Sequence, residues 1–499
     1  MVKFEPRHFE ESDDPLIRDV SGNLWAPILE HPCSFDPSQF VNVMTNFMHN
    51  PNYNSNWLFR ADILSNRGSA RMGPPVPGVP PRTTSFEGFE LEDALVRKLI
   101  PRNPNRDRPL EQTCLFLRSE DGEGGRVRSL VVYIPHLTSP EEVPFYHPSV
   151  RGIAHLHEWD PSSASPGGKV SIHLWPFARE DLRANNRMQR TALMLLQLLH
   201  KHGEGRVAGY VKRVTHDTLI PQKRFQDRHT ALKSRYAKDL LDSWAEATDP
   251  KKHVFEDIAI AAFLIELWAD MYKEGDGKFP GFVDIGCGNG LLVYLLRKEG
   301  YAGWGFDARA RKSWSQYNIQ DAAPDDTSPL RDSLQARVLL PSFVARPAPG
   351  EGDDDVSGEQ GLVHDGVFPK GTFIISNHAD ELTPWTPILA AQSQSPFIII
   401  PCCSHDLSGA RFRAPAPKDT SKGTSAYASL VSWVEKLARE CHYEVETEML
   451  RIPSTRNTAL VGRKPTGVAD LEGIISKYGG TAGYYENVSK LLKTGPRGH

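Results

Sequence analysis

One stretch of this 499-residue chain decides its fold, Phe282-Val-Asp-Ile-Gly-Cys-Gly-Asn-Gly290. A short apolar run leads into three glycines at alternate positions, and the apolar segment Leu291 to Glu299 follows as a helix that Gly300 can end. Glycine suits a backbone that turns sharply where a ligand approaches without room for a Cβ atom. The N-terminus of the next helix offers unpaired N–H donors. The stretch therefore predicts a strand, a ligand-binding loop and a helix.

Two details separate this loop from a dinucleotide-binding fingerprint. Leu291 stands where that pattern requires a glycine, and the acid Asp284 precedes the first glycine. A carboxylate there suits a cationic ligand better than a pyrophosphate. S-adenosylmethionine carries a sulfonium and an amino group, and Asp307 follows the second predicted strand, where an acid can accept the ribose hydroxyls. We therefore favour a methyltransferase over a nicotinamide enzyme. The residues predicted to bind S-adenosylmethionine are Asp284, Gly286, Gly288, Asn289, Gly290, Asp307 and Asn377.

Strands and helices alternate around this loop. Further strands are predicted at 303–306, 373–375, 397–400 and 458–461, which is typical of a doubly wound parallel sheet. The fold class is α/β, a Rossmann-like class I S-adenosylmethionine-dependent methyltransferase domain with an N-terminal mixed α+β region and a basic helical middle segment. The predicted domains are 1–180 with a Gly/Pro-rich linker near 67–88, the basic segment 181–275, the methyltransferase domain 276–466 with a disordered insertion near 346–371, and a C-terminal tail 467–499.

Composition limits the function classes. The net charge of −4 argues against a uniformly basic nucleic-acid binder, and six scattered cysteines argue against a disulfide scaffold. The longest apolar run, Ile258 to Ile265, is far shorter than the roughly 20 residues that span a membrane. The first residues carry early acids and no apolar core, so we expect neither a secretion nor a transit signal. We expect a cytoplasmic protein without membrane contact.

Basic residues are concentrated in one segment. Between Arg183 and Lys238 there are thirteen Lys and Arg residues against three acids. A solvated amphipathic face is the ordinary explanation, and contact with phosphate is the other. A later turn, Pro453-Ser-Thr455, has Arg451 and Arg456 on either side, and guanidinium groups there could position a phosphate.

The candidate catalytic residues follow the predicted strand at 373–375. Asn377-His-Ala-Asp-Glu-Leu-Thr-Pro-Trp385 would reach the carboxyl edge of the sheet, where such folds bind ligands. Asp380 and Glu381, with His378 second, could orient or deprotonate an acceptor, whereas helix capping accounts for one or two of them. Cys402, Cys403 and His405 match no common zinc spacing, so we expect no metal.

These residues resemble a known family, the eukaryotic tRNA uracil-2′-O-methyltransferases that modify uridine forty-four of serine tRNA. The resemblance spans about residues 135–464. It rests on the blocks Pro144 to Pro148, Gly209 to Asp217, Trp244 to Asp257, Asp284 to Gly290, Asn377 to Trp385, Pro401 to Cys403 and Leu450 to Asn457. It implies an enzyme that methylates a ribose hydroxyl of cytosolic tRNA with S-adenosylmethionine. It also implies tRNA phosphate contacts for Lys212, Arg213, Lys223, Arg224 and Arg228.

Two alternatives stay open. A catalytically silent tRNA-binding protein on a methyltransferase scaffold would bind RNA in a salt-sensitive manner without binding the cofactor. A base or protein methyltransferase is the other, although Asn377 to Asp380 match neither the Asn-Pro-Pro-aromatic motif of amino-group enzymes nor a cysteine nucleophile motif. The Lys-Asp-Lys-Glu set of other ribose methyltransferases has no counterpart that we can place here.

Overall fold

The chain divides into two compact units, Met1–Lys212 and Arg213–His499, in a computed structural model. It describes residues 4–10, 13–69, 72–103, 106–120, 125–163, 167–178, 185–210, 216–273, 278–321, 331–345, 362–417, 419, 423 and 425–493. No helix among these residues is long and apolar enough to cross a membrane.

Unit 1 is an eight-stranded antiparallel sheet with two helices. Its strands are β1 (Arg7–His8), β2 (Ala26–Cys33), β3 (Leu58–Asn66), β4 (Glu90–Pro101), β5 (Leu110–Glu120), β6 (Val127–Pro135), β7 (Val150–Trp159) and β8 (Gly168–Pro176). Its helices are α1 (Pro37–His49) and α2 (Asn186–Val207). The sheet order is β1-β2-β8-β7-β6-β5-β4-β3. Unit 1 therefore contains both helices and strands, as predicted for the N-terminal region.

Phe40, Val43, Met44 and Phe47 recur at helical spacing, which predicts a helix over residues 37–50 with that face buried. Helix α1 forms there, Asp36 caps it in a capping box with Gln39, and its apolar face packs in the same core as α2 and the sheet.

Apolar, β-rich runs at 113–117, 127–134 and 170–175 predict strands, and they lie within β5, β6 and β8. The Gly-rich stretch between the first two predicts a hairpin, which the pairing of Glu120 with Val127 confirms.

The Gly/Pro-rich stretch 67–88, predicted as a linker within the N-terminal region, is a connection inside unit 1. It joins β3 to β4, which are neighbours in one sheet. Its described residues pack onto the unit, with Met72 and Phe86 buried and Val76 in a bridge to Asn66. Proline and glycine keep this segment out of the ladder, but its apolar side chains still hold it against the sheet.

Unit 2 has a seven-stranded sheet that is mostly parallel. Its strands are β9 (Phe282–Ile285), β10 (Gly303–Asp307), β13 (Leu334–Ala336), β16 (Phe373–Asn377), β17 (Phe397–Ile400), β18 (Tyr443–Met449) and β19 (Thr458–Pro465). Two small sheets lie outside it: β11 (Gln320–Asp321) pairs with β12 (Arg331–Asp332), and β14 (Val338–Leu339) pairs with β15 (Val363–His364). The order is β13-β10-β9-β16-β17-β19-β18. All pairs from β13 to β17 are parallel, and β19 runs antiparallel to β17 and β18.

Helices of unit 2 pack into two apolar clusters with the sheet. They are α3 (Gln222–Asp242), α4 (Pro250–Met271), α5 (Leu291–Lys298), α6 (Trp314–Tyr317), α7 (Thr386–Gln392), α8 (Ala426–Glu440), α9 (Leu471–Lys477) and α10 (Tyr484–Lys493). One cluster contains α3, α4 and α5, and the other contains α7 and α8. Asp249 followed by Pro250 is typical of a helix start, and Asp249 caps α4 while Pro250 begins it.

The domain boundaries differ from those predicted. The basic segment 181–275 does not form one domain, because α2 belongs to unit 1 and α3 and α4 belong to unit 2. Leu196 of α2 lies in the core of unit 1, whereas Leu232 of α3 packs with α4. Buried apolar stripes decide where a helix packs, and the surface charge on which the boundary was drawn does not.

Two other segments are more ordered than predicted. Residues 346–361 of the predicted insertion lie outside the described residues, but its end carries β15, which pairs with β14, and His364 stacks on Phe306. The C-terminal segment contains α9 and α10, and Tyr484 is buried against Trp385. The predicted tail is therefore part of unit 2 through residue 493.

Candidate active site

The glycine loop joins β9 to α5 through three left-handed residues. Gly286, Gly288 and Gly290 have φ angles of 74°, 54° and 78°. The Gly286 and Cys287 N–H groups donate to the Phe306 carbonyl oxygen at 2.8 and 2.9 Å, which fixes the loop against β10. Residues other than glycine rarely adopt this conformation, so the alternation of glycines follows from the backbone path.

Asp307 ends β10 beside this loop. Its Oδ2 accepts a hydrogen bond from the Gly288 N–H at 3.0 Å, and Arg311 approaches its Oδ1 at 4.0 Å. Burial raises the pKa of this carboxyl, although Arg311 and the backbone donors act against that rise. The predicted position of an acid after the second strand is therefore realised next to the glycines.

Asp284 lies within β9 and is 2% exposed. Its Oδ1 atom has no hydrogen-bond partner among the described residues. Burial raises the pKa of Asp284 well above its ordinary value, and the carboxyls of Asp257 and Asp307 raise it further. A buried acceptor without a donor is costly, and a cationic ligand in the adjoining cavity would satisfy it.

The segment after β16 carries unusual backbone geometry. His378 and Asp380 have φ angles of 53° and 43°, which are rare for residues other than glycine. The His378 ring lies 3.1 Å from Glu256 of α4 through its Nε2 atom, while its Nδ1 atom has no partner among the described residues. Such strain persists only where the surroundings hold it, and it concentrates at functional sites.

Asp380 also contacts the segment after β17. Cys402 Sγ donates to Asp380 Oδ1 at 2.9 Å. Burial, with the Asp380 carboxyl next, raises the pKa of the Cys402 thiol, so this cysteine is held as a neutral donor. One ligand atom each of Asp380, Cys402 and Cys403 lies within 4.8 Å of the others, close enough to share a metal ion. The thiol to carboxylate hydrogen bond accounts for the cluster without one.

A cavity of about 990 Å³ unites these groups at the carboxyl ends of the strands. Ten of the predicted site residues line it, namely Asp284, Gly286, Gly288, Asn289, Asp307, Asn377, His378, Asp380, Glu381 and Arg456. Gly290 does not line it, because it is the N-cap of α5 and faces Leu334. Asn289 also has a local role, since its Oδ1 accepts from the Leu291 N–H at 2.9 Å.

Most residues predicted to contact RNA are elsewhere. Lys212 and Arg213 lie outside the described residues, and Lys223, Arg224, Arg228 and Arg451 do not line the cavity. Arg224 pairs with Glu266 and Asp270, Arg228 pairs with Glu266, and Arg451 pairs with Asp217. These guanidinium groups thus tie elements of unit 2 together, and their contact with RNA stays a prediction.

Sequence reasoning missed several residues of the cavity wall, among them Glu256, Asp257 and Arg411. Glu256 and Asp257 precede the apolar run of α4, and both are buried. Two adjacent acids entering an otherwise apolar helix were the available signal, because buried carboxyls usually have a specific reason. Arg411 also lines the cavity, and its position depends on a bridge between Arg411 and His405 that no local pattern indicates.

These residues fit S-adenosylmethionine on structural grounds. Asp284 is an orphaned buried acceptor for a positive group, and Asp307 stands at the end of the neighbouring strand, next to the glycine loop. An added Cβ at Gly288 would meet no atom within 4 Å, so the loop backbone faces open cavity space. The site can therefore hold a cationic nucleoside without a change in fold.

Comparison with known proteins gives the family. A family model described as "TRM44-like, N-terminal bet v1-like domain" matches residues 5–213. One described as "Predicted AdoMet-dependent methyltransferase" matches residues 219–323, so unit 1 is bet v1-like and unit 2 carries a methyltransferase domain. These matches and the names of the relatives imply S-adenosylmethionine as the cofactor.

Full-length relatives carry one name, tRNA (uracil-O(2)-)-methyltransferase. The protein of that name from Neurospora crassa is 54% identical over 99% of this chain and 99% of its own length. The Candida glabrata protein is 37% identical over 96% of this chain and 97% of its own length. The Schizosaccharomyces pombe protein is 38% identical over 99% of this chain and 98% of its own length. With its two domain matches and a cavity built for a cationic methyl donor, this chain belongs to the tRNA (uracil-O(2)-)-methyltransferase family.

Proposed function

We propose that this chain transfers the methyl group of S-adenosylmethionine to the ribose 2′-hydroxyl of a uridine in tRNA, at position forty-four of serine tRNA. The observation that carries the proposal is the buried Oδ1 atom of Asp284, which has no hydrogen-bond partner among the described residues and lies beside the glycine loop, in the same cavity as the candidate acceptor residues after β16. The relatives' names support tRNA and the oxygen atom. The position and the tRNA species rest on the resemblance of the sequence blocks.

The scaffold of this reaction is proposed to be a Rossmann-like class I methyltransferase sheet. The order of unit 2, with five parallel strands and an antiparallel edge pair, supports this assignment. The carboxyl ends of β9, β10, β16 and β17 meet at one edge, which is where open α/β sheets bind ligands. The donor and acceptor would therefore meet without a large rearrangement of the strands.

Asp284, Asp307 and Asn377 are proposed to hold the cofactor with the loop from Gly286 to Gly290. Once bound, S-adenosylmethionine supplies an electrophilic methyl group on its sulfonium. Asp284 offers an acceptor to a positive group, and Asp307 offers one to hydroxyl groups. Because methyl transfer is an in-line displacement, alignment of donor and acceptor supplies much of the rate, about 7 to 11 kcal/mol in well-oriented systems.

Asp380 is the proposed acceptor of the hydroxyl proton. It lines the cavity, its backbone is held in a rare conformation, and its Oδ1 already has Cys402 as a donor. Glu381 lines the same wall, and His378 is oriented by Glu256, so both are proposed to position the ribose. A general base contributes typically 10²- to 10⁴-fold, which makes proton removal secondary to alignment.

Arg411 and Arg456 are proposed to hold a phosphate of the tRNA. A ribose 2′-hydroxyl neighbours its own 3′-phosphodiester, so an acceptor site for this group must also accommodate that charge. Both arginines are exposed, line the cavity and form no ion pair among the described residues. Arg456 lies over the Tyr427 ring at 5.7 Å, which orients it without consuming its donors. Cytoplasmic tRNA is the proposed substrate pool.

A labelled-methyl experiment tests the proposal. Purified full-length protein and labelled S-adenosylmethionine are incubated with two serine tRNA transcripts, one unmodified and one already methylated on the 2′-oxygen of uridine forty-four. We expect label only in the first, and 2′-O-methyluridine in its nucleoside digest. Label on a base or on protein, or equal label in both transcripts, would refute it.

Two substitutions, one at Asp380 and one at a control residue, test the role of Asp380 as the acceptor of the hydroxyl proton. Asp380→Asn should lower turnover by 10²-fold or more while cofactor affinity stays within about threefold, because a proton acceptor contributes to the reaction step. Asp406→Asn changes a carboxyl that follows β17 and does not line the cavity, and it should leave turnover unchanged. Equal turnover in the two variants would remove Asp380 from this role.

A further inference from the structure

Four carboxyls, three of them buried and that of Asp307 half-buried, line the cavity wall. Glu256 and Asp257 come from α4, Asp284 comes from β9, and Asp307 comes from β10. Glu256 is engaged with His378, and Asp307 accepts from the Gly288 N–H. Asp257 and Asp284, which are 8% and 2% exposed, form no ion pair among the described residues. They are the part of this wall that the fold leaves without a positive group.

Acidic or neutral groups act on this pair or are acted on by it. Glu256 acts on Asp257 from α4, and Asp307 acts on Asp284 from β10. Cys287 in the loop and Tyr317 in α6 are neutral, and burial raises the pKa of Tyr317 to about 12. Among the basic residues of the cavity, His378 and His253 lie near Glu256, and Arg311 lies against Asp307. Lys252, Arg309 and Arg337 also line the cavity, and none of these groups forms an ion pair with Asp257 or Asp284 among the described residues.

Two neighbouring carboxyls that are buried without a cation favour the protonated form. Burial, and then the Glu256 charge, raises the pKa of Asp257 to about 8, and that of Asp284 is raised in the same direction. At neutral pH the ligand-free pair therefore holds at least one proton. A ligand that brings positive charge to this wall makes loss of that proton favourable.

The donor and product of methyl transfer differ in this charge. S-adenosylmethionine has a sulfonium, an ammonium and a carboxylate, whereas S-adenosylhomocysteine has lost the sulfonium and keeps the other two. A wall that responds to positive charge can distinguish them, although they share nearly every other atom. Differential affinity of this kind is what lets a site take up one ligand and release the other.

We propose that Asp257 and Asp284 form a charge-sensing carboxyl pair that gives a proton to solvent when S-adenosylmethionine binds and takes one up when the neutral thioether product replaces it. The inference rests on the proposed cofactor of this site. No bond other than the carboxyl O–H changes in the sensing step, and the proton comes from and returns to water. Asp257 thereby acts as a residue that discriminates between donor and product.

Calorimetric titration of the whole protein at pH 7, in two buffers of different ionisation enthalpy, tests the pair directly. We expect release of about half to one proton on binding S-adenosylmethionine and close to none with S-adenosylhomocysteine. Asp257→Asn should abolish the release and weaken S-adenosylmethionine about tenfold, with less than threefold change for the product. Glu246→Gln, a cavity carboxyl that accepts from the Ser313 N–H, should keep the release.

The unsubstituted protein provides a second measurement that needs no variant. The amino-group titration of each free ligand is measured separately and its contribution is subtracted, because the sulfonium makes the ammonium of S-adenosylmethionine the stronger acid of the two. We expect the preference for S-adenosylmethionine to rise about tenfold from pH 6 to pH 8, since the free pair then loses its proton more easily. If the ratio of the two dissociation constants does not change with pH and no proton is released, the charge-sensing role of the pair is wrong, while the proposed function stands. Failure of both ligands to bind overturns it together with the proposed function.

Discussion

Alanine substitution at Gly290 and at Gly288 separates what the glycine loop does for stability from what it does for binding. A Cβ atom at Gly290 would lie 2.5 and 2.9 Å from the two methyl carbons of Leu334, which is buried on β13. At Gly288 a Cβ atom would meet nothing within 4 Å. Both residues have positive φ, so both variants carry the energetic cost of a left-handed backbone. Only Gly290→Ala adds the cost of a steric clash.

The magnitudes follow from these two terms. A left-handed backbone costs a residue other than glycine about 1 to 2 kcal/mol. Overpacking a filled core adds about 1 to 3 kcal/mol, because Leu334 has both branches against the new methyl group. We expect Gly290→Ala to lower the free energy of unfolding by about 2 to 5 kcal/mol and Gly288→Ala by about 1 to 2 kcal/mol.

Urea unfolding of both ligand-free variants measures the first effect, and calorimetric titration with S-adenosylmethionine measures the second. Gly288 lines the cavity and Gly290 does not, so Gly288→Ala should show the larger loss of affinity and the smaller loss of stability. If the two variants lose equal stability, Leu334 can move aside and the steric reasoning is wrong. If Gly290→Ala alone loses affinity, the cofactor does not approach Gly288.

Other predictions use the carboxyls of the cavity. Asp307→Ala should weaken the binding of S-adenosylmethionine by about 10- to 100-fold in equilibrium dialysis without unfolding the protein, since hydrogen bonds to charged groups contribute about 1.5 to 3 kcal/mol. An unchanged affinity would refute the role of Asp307 in cofactor binding. Asp257→Asn should raise the thermal midpoint of the ligand-free protein at pH 7 but not at pH 4. The pKa of Asp257 is about 8 in the native protein and lower in the unfolded chain, so the native state binds more protons between those two values. The unsubstituted protein therefore loses stability as the pH rises from the unfolded pKa to the native one. Scanning calorimetry of both proteins at pH 4 and pH 7 measures the difference in thermal midpoint. Glu256→Gln should lower single-turnover methylation at saturating S-adenosylmethionine, because His378 loses its carboxylate partner, and an unchanged rate would contradict that assignment.

Local patterns were sufficient for the elements that build the sheet of unit 2. The predicted strand Phe282 to Ile285 is β9, and the helix from Leu291 ends within one residue of the prediction. Apolar runs bounded by glycine report strand ends directly. The same reasoning explains why the predicted residues after β9, β10 and β16 meet in one cavity, since parallel strands deliver their carboxyl ends to one edge.

Long-range packing accounts for what was mistaken. The boundary near residue 181 followed surface charge, but α2 and α3 join different cores through apolar stripes that look alike in sequence. Sequence patterns also gave no sign that Arg224 of α3 pairs with Glu266 and Asp270 on the neighbouring helix, and the contact of the α3 basic residues with RNA stays a prediction. An acid forty residues away can neutralise an arginine, and a count of local charge contains no information about it.

The amino-acid sequence by itself determined the strand, glycine loop and helix that begin the parallel sheet of unit 2, and with Asp284 and Asp307 it predicted a cationic ligand for that loop. Only the tertiary structure decided that Asp257 of α4 stands beside Asp284 on the cavity wall and that Arg411 lines the same cavity. Backbone conformation and periodicity are set by neighbouring residues along the chain. The desolvation of a carboxyl depends on atoms that arrive from distant segments, so it exists only after the chain has folded.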